Sequence, residues 1–101
     1  MTDESSLPLS ERSFTASTPD GLVFVRVAVR GHVLGVQLEP GAMRRAGHEL
    51  AERIMACADV AYLQGQVAVR REWERARMFD SVAGMPTESD LDAASERLSR
   101  L

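Results

Sequence analysis

A long stretch without proline, residues 41–79, constrains the fold of this 101-residue chain more than any other feature. It is rich in Ala, Arg, Glu and Met, which are good helix formers. Apolar residues recur there at steps of three and four, so that they share one helical face. These residues are Met43, Gly47, Leu50, Ile54, Cys57 and Ala61. The pattern predicts one dominant helix, against which the rest of the chain must pack.

A second apolar stripe, formed by Ala56, Val60, Leu63 and Val67, runs beside the first. A helix that covers a small sheet needs only one apolar stripe. The second stripe therefore indicates another partner, and we predict a homodimer. The dimer interface would contain Ile54, Val60, Leu63 and Val67.

The length of this stretch raises a geometric question. An unbroken helix over residues 41–79 would span about 58 Å, since each residue adds about 1.5 Å. So long a helix exceeds the width of a small domain, so we expect it either to project or to break. Gly65 is the natural place for a break, because glycine costs roughly 1 kcal/mol against alanine inside a helix.

The clearest strand covers residues 22–30, where valine occupies every second position. Because successive side chains of a strand point to opposite faces, these valines share one face, which should meet the helix. They are Val23, Val25, Val27 and Val29. The opposite face carries Arg26 and Arg30 and is predicted to be solvated or to form a contact surface.

Two weaker strands flank it. Residues 12–17 alternate and predict a short edge strand with Phe14 and Ala16 on one side. The Thr-Pro-Asp-Gly sequence at 18–21 is a strong turn signal. Gly31 and His32 predict a two-residue hairpin, after which residues 33–38 return antiparallel. On that strand we expect Leu34, Val36 and Leu38 to point inward, with Gly35 as the candidate site for a β-bulge.

The C-terminal part predicts a linker over residues 80–85 and a final helix capped by Thr87, with Asp90 in the capping-box position. Leu91, Ala94, Leu98 and Leu101 share one face of that helix. The predicted fold class is α+β: a three-stranded antiparallel sheet, a long helix and a short C-terminal helix. We divide the chain into a disordered N-terminal tail (1–11), a β-β-β-α domain (12–79) and a linker with the C-terminal helix (80–101).

Composition narrows the class of protein further. The net charge is −3, and all 12 basic residues are arginine. A general nucleic-acid binder usually carries a basic surplus. A single cysteine fits a reducing compartment. The first eleven residues lack the basic start and apolar run of a leader peptide. Apolar runs are far shorter than the ~20 residues that cross a membrane. We expect a soluble, cytoplasmic protein with no membrane association.

The sequence groups no catalytic or metal-binding residues. His32, His48 and Cys57 lack the short spacings of a zinc site, so a metal site is the weaker interpretation. Cys57 as a nucleophile would need a nearby base, whereas its place on the apolar face favours a small buried residue. We therefore predict no enzymatic activity, no metal and no cofactor.

The basic clusters have two interpretations. Arg44, Arg45, Arg70, Arg71 and Arg75 could contact phosphates of DNA. Alternatively, they form a solvated helical face on which neighbouring glutamates offset their charge. Residues 41–79 contain seven Arg and five acidic residues, a surplus of two, which supplies little of the salt-dependent affinity that DNA binding needs. The solvated face is the preferred interpretation.

Trp73 is the largest apolar side chain in the chain, and tryptophan is enriched among the residues that dominate protein interfaces. With Val69 it forms an apolar stripe on the last turns of the long helix. We predict a partner-binding site in which this stripe is joined by the leucines of the final helix. The site would contain Val69, Trp73, Leu91, Leu98 and Leu101.

The order strand, PDG turn, strand, glycine turn, strand, proline and long helix resembles the nucleoid-associated YbaB/EbfC family over about half of the chain, from Asp20 to Ala61. The matching residues are Gly21, Leu22, Val23, Val25, Val27, Gly31, Val36, Leu38, Pro40, Leu50, Ile54, Ala58 and Ala61. The resemblance implies an intertwined dimer whose projecting helices bind DNA without strong sequence preference. The chain lacks that family's lysines and its helix before the sheet. In this it looks more like the short YbaB-like companions of actinobacterial type VII (ESX) secretion systems.

That second resemblance implies a cytosolic partner or chaperone of secreted proteins. Our leading hypothesis is a non-enzymatic, homodimeric protein-interaction module whose partner is a secretion-system component or substrate. The alternative is a nucleoid-associated protein that binds DNA non-specifically.

Overall fold

The computed structural model describes residues 6–101, and its strands form one antiparallel sheet in the order β1 (Ser13–Ser17), β2 (Val23–Ala28), β3 (Val33–Leu38). A long helix α1 (Gly47–Arg75), a short helix α2 (Phe79–Val82) and a helix α3 (Glu88–Ser99) follow. The predicted α+β class is confirmed. The predicted tail, 1–11, lies partly outside the described residues, and within the rest Leu9–Glu11 form a 3-10 turn.

The valine face of β2 is the centre of the core. Val23, Val25 and Val27 are at most 1% exposed, because α1 packs across them. The register pairs Phe14 with Val27 and Ala16 with Val25, so the apolar residues of β1 share this face. The predicted facial assignment of β2 is therefore confirmed, and Arg26 is exposed on the opposite side.

The turn at 18–21 forms as its sequence predicts. The N–H of Gly21 donates to the carbonyl oxygen of Thr18 at 2.9 Å, and Gly21 has a φ of +73°, which glycine tolerates best. Asp20 accepts a 3.0 Å hydrogen bond from the N–H of Leu22. The side chain of Asp20 thus holds the backbone at the entry to β2.

The hairpin between β2 and β3 differs from its prediction. Its loop contains four residues, 29–32, instead of two, and the N–H of Gly31 donates to the carbonyl oxygen of Ala28 at 2.8 Å. The register between β2 and β3 shifts by one residue here, because Val27 pairs with Val33 whereas Arg26 pairs with Gly35. Leu34 is therefore the extra residue of a β-bulge, one position before the expected Gly35.

The long helix is shorter than predicted and does not break at Gly65. Pro40–Arg44 form a 3-10 turn, and Arg45 and Ala46 are extended, so α1 begins only at Gly47. A Cβ at Gly65 would lie 3.3 Å from the Phe14 ring and 3.5 Å from the Cα of Val29. Glycine at this position lets the helix approach the sheet closely, which explains why a helix interior contains one.

The second apolar stripe of α1 is covered by the chain's own C-terminal helix. Val60, Ala94 and Leu98 are at most 7% exposed and belong to one core cluster. Arg70 supports this arrangement, because its guanidinium donates to the carbonyl oxygens of Val82 and Met85, both at 3.0 Å. The linker folds back and brings α3 onto α1, so that the chain itself covers part of the second stripe.

The start of α3 confirms its predicted cap. The hydroxyl of Thr87 accepts a hydrogen bond from the N–H of Asp90, and the Asp90 carboxylate accepts one from the N–H of Thr87 at 2.8 Å. Such reciprocal capping satisfies two backbone donors that a helix end otherwise leaves free. The cap determines where α3 begins after the linker.

We predict that Val27→Asp lowers the free energy of unfolding by several kcal/mol, because it places an unpaired charge inside an apolar layer. Arg26→Ser, on the exposed face of the same strand, should change it by no more than about 0.5 kcal/mol. Urea unfolding followed by circular dichroism measures both. Equal unfolding midpoints for the two variants would show that the assignment of faces is mistaken.

Candidate protein-interaction surface

The third strand presents apolar side chains to solvent. Val36 pairs with Val25 and Leu38 pairs with Val23, so both lie on the helix side of the sheet. Nevertheless Val33, Leu34 and Val36 are 53%, 47% and 46% exposed. The predicted inward direction therefore holds for Val36 and Leu38, whereas Leu34 is the extra residue of the bulge. Val36 is nevertheless not buried, because α1 packs against β1 and β2 and leaves β3 uncovered. Only Leu38 packs against the core.

The backbone of β3 is open along one edge. The N–H of Glu39 donates to the carbonyl oxygen of Leu22 at 2.8 Å, which fixes the alternation of hydrogen bonds along the strand. Gln37 therefore turns its backbone groups toward β2, and Val36 and Leu38 turn theirs away from the sheet. Val33–Leu38 contains no charged residue and no proline, the devices that commonly protect an edge strand.

The ring of Tyr62 extends the exposed apolar surface onto α1. A Cβ added at Gly31 would lie 3.2 Å from the Cε1 atom of Tyr62, so the ring stands over the loop that leads into β3. Tyr62 is 41% exposed. We call Val33, Leu34, Val36 and Tyr62 the β3 edge surface. Sequence patterning missed it, because alternation identifies the apolar face of a strand but not whether a helix covers it.

The predicted dimer interface is not on the surface of the protomer. Val60 and Val67 are buried within the chain, and Ile54 and Leu63 are partly buried against its core. Two of these four residues are therefore closed to a partner in this conformation, and the other two are only partly exposed. The β3 edge surface is apolar, exposed and without a covering helix, so we consider it as the alternative interface.

The predicted partner-binding residues separate into two groups. Val69 and Trp73 line a cleft of about 540 Å³ together with Leu9, Val29 and Met85. Leu91, Leu98 and Leu101 instead pack onto the core of their own chain. The structure does not bring all five together in the protomer, because α3 docks its leucines on α1. The cleft around Trp73 remains accessible.

A second groove, of about 640 Å³, lies between α1 and the end of α3. Its α1 wall carries His48, Glu52 and Asp59, and its α3 wall carries Arg97 and Arg100. The sequence alone does not indicate this groove, because its two walls come from helices that only the tertiary structure brings together.

Most of the arginines proposed for DNA contact are engaged within the chain. Arg45 pairs with Asp20 at 2.6 Å and Arg75 with Glu72 at 2.8 Å. Arg71 pairs with Glu88, and Arg70 binds the linker carbonyls and lies 3.5 Å from Glu74. Of the five, only the side chain of Arg44 has no hydrogen bond or ion pair within residues 6–101.

The partner of Arg45 remains ionised at neutral pH. The Thr18 hydroxyl donates to Asp20 at 2.6 Å and, with the Leu22 N–H and the Arg45 guanidinium, lowers the pKa of Asp20 to about 2. Asp20 therefore carries its negative charge beside Arg45 at neutral pH. This pairing reduces the charge that Arg45 could offer to a phosphate.

The remaining candidates for chemistry are isolated from one another. Burial raises the pKa of the Cys57 thiol to about 11, and the negative charge of Asp20 adds to this effect. The side chain of Cys57 is fully buried. Within residues 6–101, no three His, Cys, Asp or Glu side chains come close enough to share a metal ion. Over the same range, none of the helices has the length and apolarity needed to traverse a bilayer.

We predict that Cys57 in the folded protein reacts with a thiol reagent such as DTNB at least about a hundredfold more slowly than in urea. The reason is that the thiolate, the reactive form, is scarce and the sulfur is shielded. Absorbance of the released thiol measures the rate. Rapid reaction in native buffer would contradict the buried position of the thiol.

The fold and these surfaces define a small α+β protein whose sheet ends in an open apolar edge. The sequence matches, over residues 7–101, the model of a family described as "Protein of unknown function (DUF2694)", and the chain belongs to that family. No curated protein and no solved structure matches the chain. The family match spans the whole sheet and all three helices.

Proposed function

We propose that this protein is a non-enzymatic protein-interaction module that works as a homodimer. The observation that carries the proposal is the β3 edge surface, where apolar side chains half exposed to solvent lie beside unpaired backbone groups. Such an edge is a template for pairing with another chain. The proposal moves the interface from the stripe on α1 to the edge of the sheet.

A homodimer suits this surface for an energetic reason. Fully burying a Val or Leu side chain contributes about 1.5–3 kcal/mol relative to leaving it exposed. In a two-fold interface the same patch is present on both protomers, so each side chain contributes twice. Val36 and Leu38 lie on the regular part of this strand, so that pairing along it covers them on both protomers.

The cellular role we propose is that of a cytosolic partner or chaperone for a type VII secretion component or substrate. Its support is the resemblance of the sequence to the YbaB-like companions of these systems. The cleft at Trp73 supplies a second surface on which a protein partner could dock. It lies at the C-terminal end of α1, with Arg30 and Glu72 at its margin and apolar side chains inside.

The homodimer is tested by mass in solution. We expect wild-type protein at tens of micromolar to have the mass of two protomers, and Val36→Lys to shift it to one protomer, because lysine at an edge opposes pairing. Thr15→Lys, an exposed position on the other edge strand, is the matched control and should leave the dimer intact. A wild-type mass of a single protomer would refute the homodimer.

The partner surface is tested by Trp73→Ala. Truncating an aromatic anchor commonly costs about 2 kcal/mol or more, so we expect binding of the partner to weaken about thirtyfold. The binding measurement would use proteins encoded by neighbouring genes. Phe79→Ala, which removes an exposed aromatic ring outside the cleft, should have little effect. The mass of the dimer should not change in either variant.

The DNA-binding alternative makes a different prediction. Because four of its five candidate arginines are engaged in the protomer, we expect a gel shift with random duplex DNA to show no tight binding at low salt. Strong binding that falls steeply between 50 and about 200 mM salt would instead support nucleoid association. Its loss on joint replacement of Arg70, Arg71 and Arg75 by Gln would place the DNA on α1.

A further inference from the structure

We propose that two copies of the chain pair antiparallel through β3, about a two-fold axis at Gln37, and form one six-stranded sheet. This inference rests on the proposed homodimer and adds its register. The pairing must use backbone groups that point away from β2, and these belong to Val36 and Leu38. It must also place helix-side residues opposite helix-side residues, because the side chains of directly paired residues share one face.

A register centred on Gln37 meets both requirements with the regular part of the strand. Residues 35–39 lie beyond the bulge at Leu34 and continue the ladder with β2 without interruption. In this register Val36 lies opposite the partner's Leu38, and by symmetry Leu38 lies opposite the partner's Val36. Each of these two pairs forms two backbone hydrogen bonds, which gives four in total. The apolar pair lies on the helix side, where it extends the core across the axis.

Two-fold symmetry also determines where the helices lie. An axis perpendicular to the sheet places both α1 helices on the same side of the six-stranded sheet. The two Glu39 side chains lie four residues apart along the strand, or about 14 Å. That distance exceeds the ~8 Å Debye length at physiological salt, so their repulsion is largely screened.

The outer face supplies charge complementarity. Arg26 pairs with Gly35 in the protomer, and in the proposed register Gly35 lies opposite the partner's Glu39. These three positions form one row across the sheet, on the same face. Since Gly35 has no side chain, Arg26 can extend over it toward the partner's Glu39. Within its own chain, Arg26 has no ion pair with any other part of residues 6–101.

Gly35 provides an independent reason for this arrangement. A Cβ added at Gly35 would meet nothing within 4 Å, and its φ is not in the left-handed region. The protomer therefore does not require glycine here. A side chain at this position would instead stand between Arg26 and the partner's Glu39, which is a reason for its absence in the dimer.

The first test is a charge exchange across the interface. Arg26→Glu alone and Glu39→Arg alone place like charges at two symmetric contacts, and each should raise the dimer Kd at least about fivefold. The double variant restores opposite charges and should return the Kd to within about threefold of wild type. Sedimentation equilibrium measures each value, and circular dichroism checks that every variant is folded.

The second test is a disulfide at the axis. In the proposed register the two Gln37 residues form a non-hydrogen-bonded pair with Cα atoms about 4.5 Å apart, within the range that a disulfide spans. Gln37→Cys should therefore give a covalent dimer under mild oxidation. Thr15→Cys, equally exposed on the opposite edge of the sheet, is the matched control and should stay reduced. Wild-type protein, whose single cysteine Cys57 is buried, shows how much covalent dimer forms without the new cysteine.

The outcomes separate the register from the homodimer itself. Rescue by the double charge variant, together with a covalent dimer of the Gln37→Cys variant, supports the proposed pairing. A wild-type dimer without this rescue, and without a disulfide in the Gln37→Cys variant, overturns the register and leaves the homodimer standing. A wild-type protein that stays monomeric overturns both.

Discussion

The packing of the β2 valines against α1 is the interaction on which the rest of the structure depends. Val23, Val25 and Val27 are at most 1% exposed, and Cys57 and Ala61 of α1 are buried in the same cluster. Small side chains on the helix let it lie close to the sheet, and Gly65 extends this close approach to Phe14 and Val29. Once α1 lies across β2, its second stripe faces away from the strands, where the returning chain places α3.

The same packing explains the open edge. A single helix that crosses β1 and β2 does not reach β3, so the apolar residues of β3 stay half exposed although they face the helix side. The third strand is thus secured by its ladder with β2 and by Leu38, but not by a covering helix. A second copy placed against this edge would extend the sheet and cover Val36, which the protomer leaves half exposed.

The charges of the chain follow a related pattern. Five arginines are paired with carboxylates inside the protomer: Arg45, Arg70, Arg71, Arg75 and Arg100. Arg26, on the outer face of the sheet, is not paired in this way. This contrast weakens the case for a phosphate-binding stripe along α1. Arg26 is one of the arginines that remain available to another chain, and the proposed register places the partner's Glu39 in the same row across the sheet.

The sequence by itself determined the local structure. Valine at every second position established the buried face of β2, the Thr-Pro-Asp-Gly segment determined a turn, and Thr87 with Asp90 determined the start of α3. These depend on residues close together in the chain, whose backbone preferences and hydrogen bonds act locally. The tertiary structure alone decided that α3 covers the second stripe of α1, that Gly65 marks a close contact instead of a break, and that β3 remains uncovered. Each of these depends on which distant segments meet, because burial is a property of the packed chain and cannot be read from periodicity.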